Sequence, residues 1–373
     1  MIIAGEASGD LHGGKLVASL RNSQPDLEIF GIGGDRMQAE GMELLFHVKD
    51  LAFMGFSEVV KHLGDIRKIF DQVVAAARQR RPDIVVLIDY PGFNLRLGKK
   101  LKSHGFKIFY FIAPQVWAWR QGRAKKMASF IDRMAVLFDF EVEFFARHGI
   151  DAHFVGHPLV EGMRPAHSRE DFFSSFGLPN DAQIIGLFPG SRNQEIDQLL
   201  PTMIHTAQQL VQKHPRLVIA ISQADTISDE KMRQHLGDDN VIIVKNAAYD
   251  LMAFSRAAMV ASGTATLEVA ALETPFAILY KVSPLSFFIG KRVVKIPFIG
   301  LVNIVAGKKV VNEFIQEAAS PAELVPELER CLFDENYRQK QLEEFKTVRE
   351  KLGGVGASDR TASLILKMIS MSE

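Results

Sequence analysis

The chain has 373 residues, 47% apolar and 24% charged, enough to build two domains with separate cores. Lys plus Arg and Asp plus Glu both number 44, so bulk charge argues for neither a nucleic acid nor an acidic partner. One cysteine, Cys331, excludes an intrachain disulfide and fits a reducing compartment, and no apolar run reaches the roughly 18–20 residues of a membrane span.

Residues 1–4 read as a short first strand, short enough to suggest a clipped start, and lack the basic leader of a signal peptide. A cytoplasmic protein is expected. The loop GEASGD (5–10), a helix over about 12–21, a strand at 28–31 and a second glycine loop, GIGGD (31–35), come next. A long helical period covers 54–78. Strands at 84–88, 107–112, 133–137 and 153–155 are nearly pure apolar runs, the mark of a parallel sheet covered on both faces. Pro158 and Pro165 break the rhythm at 156–168, which reads as a linker. Alternation then restarts with a strand at 184–188, a helix at 194–213, and strands at 217–221, 241–244, 257–261 and 276–279. The pattern predicts two Rossmann-like, doubly wound α/β domains facing a cleft: 1–160, then 161–345. Residues 346–373 form a C-terminal helix expected to pack back on the first domain.

Two stretches suit a nucleoside diphosphate. In VASGTATLEVAALETP (260–275) a strand runs into Ser262-Gly263-Thr264 and a helix opens at Thr264 or Ala265, where first-turn amides suit phosphate. Glu268, one helical turn after Thr264, is placed for a ribose hydroxyl. IIGLFPGSRNQE (184–195) has the same shape and offers Gly190, Ser191 and Arg192, whose forked guanidinium suits paired phosphate oxygens. The plainer reading of Arg192 is a salt bridge with Glu195 or Asp197. Asp89, at the end of an apolar strand and before Pro91, is a candidate general base; its plainer reading is a helix cap. Neither early glycine loop is G-x-G-x-x-G, so the nicotinamide signal is weak. No Walker loop, Cys/His cluster or Asp-x-Asp pair is present, and neither metal nor cofactor is expected. Of the histidines, His157 stands beside Gly156 and Pro158.

Three segments have the character of a membrane face. Phe56, Val59, Val60, Leu63, Ile66, Ile69, Phe70 and Val73 share one face of a helix that also carries Lys61, His62, Arg67 and Lys68, although a core helix has the same pattern. Residues 274–312 contain no acid, while Lys281, Lys291, Arg292, Lys295, Lys308 and Lys309 alternate with Phe287, Phe288, Phe298 and several isoleucines and valines. Trp117 and Trp119 lie beside Arg120, Arg123, Lys125 and Lys126, where one tryptophan filling a core pocket is an equally simple account.

GEASGD (5–10), GIGGDRMQAEG (31–41), MGFSEV (54–59), IDYPGFN (88–94), PQVWAWRQGR (114–123), FVGHP (154–158), LFPGSRNQEI (187–196), ASGTATLE (261–268) and LVNIVAG (301–307) occur in one order across nearly the whole chain. This series resembles the lipid-A-disaccharide synthase family, inverting glycosyltransferases of the GT-B fold. The resemblance implies transfer of 2,3-diacylglucosamine from UDP-2,3-diacylglucosamine to the 6-hydroxyl of 2,3-diacylglucosamine 1-phosphate. The products are the β-1,6-linked lipid A disaccharide phosphate and UDP. It assigns Asp89 as the base, Gly190, Ser191, Arg192 and the 262–264 turn to the diphosphate, and Glu268 to the ribose. Asn303, Glu313 and Gln316 fall near the donor sugar; Glu6, Ser8, Met54, Phe56, Val59, Val60, Leu63 and Trp117 fall on the acceptor and membrane side. It implies an enzyme held peripherally on the cytoplasmic face of the inner membrane. The rival readings are a UDP-N-acetylglucosamine 2-epimerase, a peptidoglycan precursor transferase, or a non-catalytic lipid- or nucleotide-binding module. An epimerase has no need of the basic-aromatic strip.

Overall fold

The computed structural model describes residues 1–51, 63–119, 121–236, 241–293 and 296–370. Met54, Phe56, Val59 and Val60 lie outside the described residues, as do the side chains of Leu63, Lys291 and Val293. The chain divides into two compact units: Met1–Glu161 with Leu352–Glu373, and Gly162–Lys351.

The first unit is built on seven parallel strands: β1 (Ile2–Ala4), β2 (Phe30–Gly33), β3 (Glu43–His47), β4 (Val85–Ile88), β5 (Ile108–Phe111), β6 (Arg133–Val136) and β7 (Ala152–Phe154). Their order is β3-β2-β1-β4-β5-β6-β7. Chain direction across the sheet reverses between β1 and β4, where Ala4 pairs with Ile88, so the segments leaving those two strands diverge from one point on the carboxyl edge. The second unit repeats the plan with β8 (Gln183–Phe188), β9 (Leu217–Ser222), β10 (Ile242–Val244), β11 (Ser255–Ala261), β12 (Phe276–Tyr280) and β13 (Glu313–Ile315), ordered β10-β9-β8-β11-β12-β13. Its reversal falls between β8 and β11, with Phe188 against Val260. The central strands are buried on both faces, which is why they read as continuous apolar runs rather than as alternation.

Several local expectations are corrected. GEASGD is no loop: the helix Ala7–Ser23 starts inside it, with Glu6 as N-cap. GIGGD is mostly strand, because β2 can approach β1 only through glycine. A Cβ on Gly31, at φ 148, would lie 1.9 Å from the Ile2 carbonyl oxygen. Strands β3 and β13 escape the periodicity because both are short and only partly buried.

The two glycine segments are tied by Asp10, 6% exposed. Its Oδ1 accepts from the Gly34 and Met37 amides at 2.7 and 3.1 Å, and its Oδ2 from Arg36 at 3.1 Å, so one carboxylate caps the helix Asp35–Ala39. Replacing Asp10 with alanine strands three donors, two of them buried. We expect a loss of about 3 kcal/mol in urea unfolding; a loss under about 1 kcal/mol contradicts the brace.

The helix Leu63–Arg80 sends Ile69, Val73, Val74 and Ala77 into the first core, with Ile66 and Phe70 packed against it. Its described part is therefore a core helix, not a lipid face. The helix Ala357–Ser370 returns to the first unit, where Asp359 accepts from Ser19 Oγ at 2.7 Å. Glu161 Oε1 accepts from the Gly356 and Ala357 amides at 3.0 and 3.1 Å, and Arg360 donates to the Val155, Gly354 and Val355 carbonyls.

Candidate active site

At the reversal point of the first sheet the chain leaves β4 through two non-glycine residues in the left-handed region, Asp89 at φ 43 and Tyr90 at φ 47. Each costs on the order of 1–2 kcal/mol, so the surroundings must hold them. The Asp89 amide extends the ladder to the Phe111 carbonyl at 3.0 Å. Its carbonyl accepts from Tyr110 Oη at 2.6 Å and from Asn94 Nδ2 at 2.9 Å. Asn94 and Tyr110 are fully buried. Gly5, at the end of the neighbouring strand, makes room for the turn, since a Cβ there would lie 2.0 Å from the Tyr90 ring. The next residue, Glu6, accepts from Ser8 Oγ at 2.8 Å.

Burial pushes the Asp89 carboxyl up to about 6, the nearby Glu6 charge adds to the rise, and the Tyr90 amide opposes it. A carboxylate ionised at neutral pH, yet close to its titration point, suits proton abstraction from a hydroxyl. One strand along, Ile112 is a β-branched residue at φ 64, so strain gathers on this edge. The residues that sequence reasoning missed here are Asn94 and Tyr110. The available signal was an asparagine in the otherwise apolar face of the helix Pro91–Lys102.

Trp117 departs from its membrane assignment. It is 5% exposed, its Nε1 donates to Glu141 Oε1 at 2.9 Å, and its ring meets Phe140 edge-on at 5.1 Å. Burial raises the Glu141 carboxyl to about 7 against its Trp117, Phe138 and Leu137 donors. The exposed tryptophan is Trp119.

In the second unit the loops after β8 and β11 leave adjacent strands. Gly190 has φ 106, and a Cβ on it would lie 2.1 Å from Glu195 Oε2. That oxygen accepts from the Ser191 and Arg192 amides at 2.9 and 3.2 Å, and Thr226 Oγ1 donates to the Ser191 carbonyl at 2.6 Å. Gly190→Ala should therefore cost about 1–3 kcal/mol of stability, measured by chemical unfolding; an unchanged midpoint contradicts the strain. Arg192 Nη1 donates to Glu195 Oε1 at 2.9 Å while its side chain stays 81% exposed. The salt bridge expected as the plainer reading is thus present, and Asp197 pairs instead with Lys231 and His235.

After β11, Ser262 Oγ donates to the Ile299 carbonyl at 2.8 Å, and Thr266 Oγ1 to the Gly263 carbonyl at 2.7 Å. Thr264 is exposed ahead of the helix Ala265–Ala271. Glu268, on that helix, has its carboxyl raised by burial and lowered by a hydrogen bond from Tyr249 Oη at 3.1 Å.

The residues assigned to the donor sugar are engaged within the fold. Asn303 is fully buried, with Nδ2 donating to the Val311 carbonyl and Glu313 Oε1, both at 2.9 Å, and Oδ1 accepting from Val310 and Val311 at 2.8 and 3.0 Å. Its hydrogen-bonding capacity is full, so it acts here by fixing Glu313. Glu313 also accepts from the Ile299 and Gly300 amides. Gln316, left-handed at φ 55, brackets the Val282 backbone through both its amide atoms. The basic strip is likewise divided. Lys281 donates to Thr202 Oγ1 at 2.7 Å and Lys308 pairs with Glu344 at 2.7 Å, while Phe288 is 54% exposed beneath the Arg292 guanidinium.

Among the described residues no group of three or more His, Cys, Asp or Glu is placed to hold a metal ion, and no helix is long and apolar enough to cross a membrane.

Among solved structures, S. aureus MnaA in complex with UDP matches at a TM-score of 0.65 and 12% identity, covering 100% of this chain and 96% of that one. The calicheamicin glycosyltransferase CalG4 matches at 0.59 and 14%, covering 99% and 96%. At such identities the likeness concerns the fold alone, and with the two Rossmann-like sheets it defines an α/β protein of the GT-B class. The profile of the lipid-A-disaccharide synthetase (LpxB) family matches residues 1–367. The lipid-A-disaccharide synthase of Trichlorobacter lovleyi is 44% identical over 374 residues, 100% of this chain and 98% of that protein. The chain belongs to the lipid-A-disaccharide synthase family and is a glycosyltransferase of lipid A biosynthesis.

Proposed function

We propose that the protein transfers 2,3-diacylglucosamine from UDP-2,3-diacylglucosamine to 2,3-diacylglucosamine 1-phosphate, with inversion and release of UDP. The observation that carries the assignment of roles is Asp89, a strained, desolvated acid at the reversal point of the first sheet. As the acceptor 6-hydroxyl oxygen bonds to the anomeric carbon, Asp89 takes its proton and the bond from that carbon to the diphosphate oxygen breaks. The leaving charge is met by Arg192 and the backbone around Gly190, Ser191, Ser262, Gly263 and Thr264. Glu268 holds the ribose. Asn303 and Gln316 shape the donor pocket by fixing Glu313 and the Val282 backbone. The first unit serves the acceptor, with Glu6 and Ser8 beside the base; the second serves the donor.

The enzyme works at the cytoplasmic face of the inner membrane as a peripheral protein. Exposed Phe288 under Arg292, in the acid-free 274–312 stretch, supports that reading. The acyl requirement tests the function. Purified protein in mixed micelles should make disaccharide from the diacylated donor and none from UDP-N-acetylglucosamine. Conversion or transfer of the unacylated sugar at equal rate would move the assignment to an epimerase or a different transferase.

A further inference from the structure

Tyr249 belongs to none of the family's sequence motifs, yet among the described residues it is the side chain that holds Glu268. Its hydroxyl donates to Glu268 Oε1 at 3.1 Å, and among the described residues no donor reaches Oε2. Burial and the facing carboxylate push the phenol's pKa up, so Tyr249 stays a donor throughout the working pH range. Its helix, Ala248–Phe254, is anchored by the next residue: Asp250, 1% exposed, accepts from the His167 amide at 2.7 Å and faces His167 Nδ1 at 3.2 Å. Leu251 and Met252 are buried behind it. The phenol is thus carried on an anchored helix and fixes one carboxylate oxygen while leaving the other with acceptor capacity.

We propose that Tyr249 is a positioning residue for nucleotide recognition, holding Glu268 so that its second oxygen accepts from a ribose hydroxyl and selects ribonucleotide over deoxynucleotide. The inference rests on the assignment of Glu268 to the ribose. The groups facing Glu268 also set the pH response. Burial raises its carboxyl and the Tyr249 bond lowers it, so removing the phenol moves the titration upward. Glu268 accepts best when ionised, so UDP affinity falls as pH drops through that titration, and in Tyr249→Phe the fall begins at higher pH.

The test is calorimetric binding of UDP, 2′-deoxy-UDP and 3′-deoxy-UDP to the full chain, as wild type, Tyr249→Phe, Glu268→Gln and the double variant. The wild type should prefer UDP over at least one deoxy form by about tenfold. Tyr249→Phe should lose most of that preference and shift the pH profile upward, and the double variant should lose no more than Glu268→Gln alone. If Glu268→Gln loses the preference but Tyr249→Phe keeps it with an unshifted profile, Tyr249 has no positioning role and the ribose assignment stands. Uniform weakening of all three ligands by Tyr249→Phe also overturns the proposal, leaving a structural tyrosine. If the wild type shows no preference, or Glu268→Gln retains it, the ribose assignment itself fails and the inference falls with it.

Discussion

Asp89→Asn should lower kcat by about 10²–10⁴-fold and at the same time raise the stability of the protein above pH 6. The amide cannot take a proton from the acceptor hydroxyl, but it keeps the shape of the side chain and tolerates the left-handed backbone as well as aspartate does. The stability effect follows from linkage. Burial first, then Glu6, holds the carboxyl at about 6 in the folded state, above its ordinary value of 3.8. A raised pKa means that the group's contribution is complete below the unfolded value and is lost as pH rises through about 6. That difference is worth at most about 3 kcal/mol, and solvent access at this edge reduces it to about 1–2 kcal/mol. Melting curves of wild type and Asp89→Asn should therefore converge near pH 4 and separate above pH 6, with the variant higher. Equal melting temperatures at pH 8 would contradict the desolvated acid.

Arg192→Ala should lower kcat/KM for the UDP-sugar by about 10²–10³-fold and leave the melting temperature nearly unchanged. The side chain is 81% exposed and its ion pair with Glu195 is a surface pair of the kind worth under about 1 kcal/mol. Loop geometry survives, because Glu195 Oε2 still caps the Ser191 and Arg192 amides. Arg192→Lys should recover only part of the loss, since an ammonium cannot meet two phosphate oxygens with a planar fork. Full activity in Arg192→Ala leaves Arg192 as the partner of Glu195 and nothing more. Nearly all the predicted effect sits in function, which separates this position from Asp89.

The parallel sheets were legible because their central strands are apolar runs, but the strand order and the reversal points were not, because they depend on which strands pair and no local pattern marks that. Asp89 stood out because a charge ends the apolar run VVLI, with a helix cap as its plainer reading; the helix Pro91–Lys102 has no side-chain cap. What holds it was less legible. Asn94 and Tyr110 act through the backbone carbonyl of Asp89; an asparagine in an apolar helix face hinted at the first, but nothing in one-dimensional spacing marks Tyr110 as bonding to that oxygen. GEASGD and GIGGD misled because glycine serves two masters. It frees a loop, but it also lets β2 lie against β1 and lets Asp10 reach three amides. The apolar face at 63–80 and the ring of Trp117 show the ambiguity of amphipathic patterns: lipid and core ask for the same residues. Asn303 was found as a motif member and Gln316 as a residue following that motif, but only their hydrogen bonds reveal that they hold Glu313 and the Val282 backbone in place.

The most direct test follows UDP and disaccharide together in detergent micelles containing UDP-2,3-diacylglucosamine, 2,3-diacylglucosamine 1-phosphate and EDTA, with wild type beside Asp89→Asn. The account predicts one disaccharide per UDP, insensitive to EDTA, and loss of both products in the variant despite its higher melting temperature. UDP without disaccharide, or an Asp89→Asn enzyme that turns over like wild type, would contradict it.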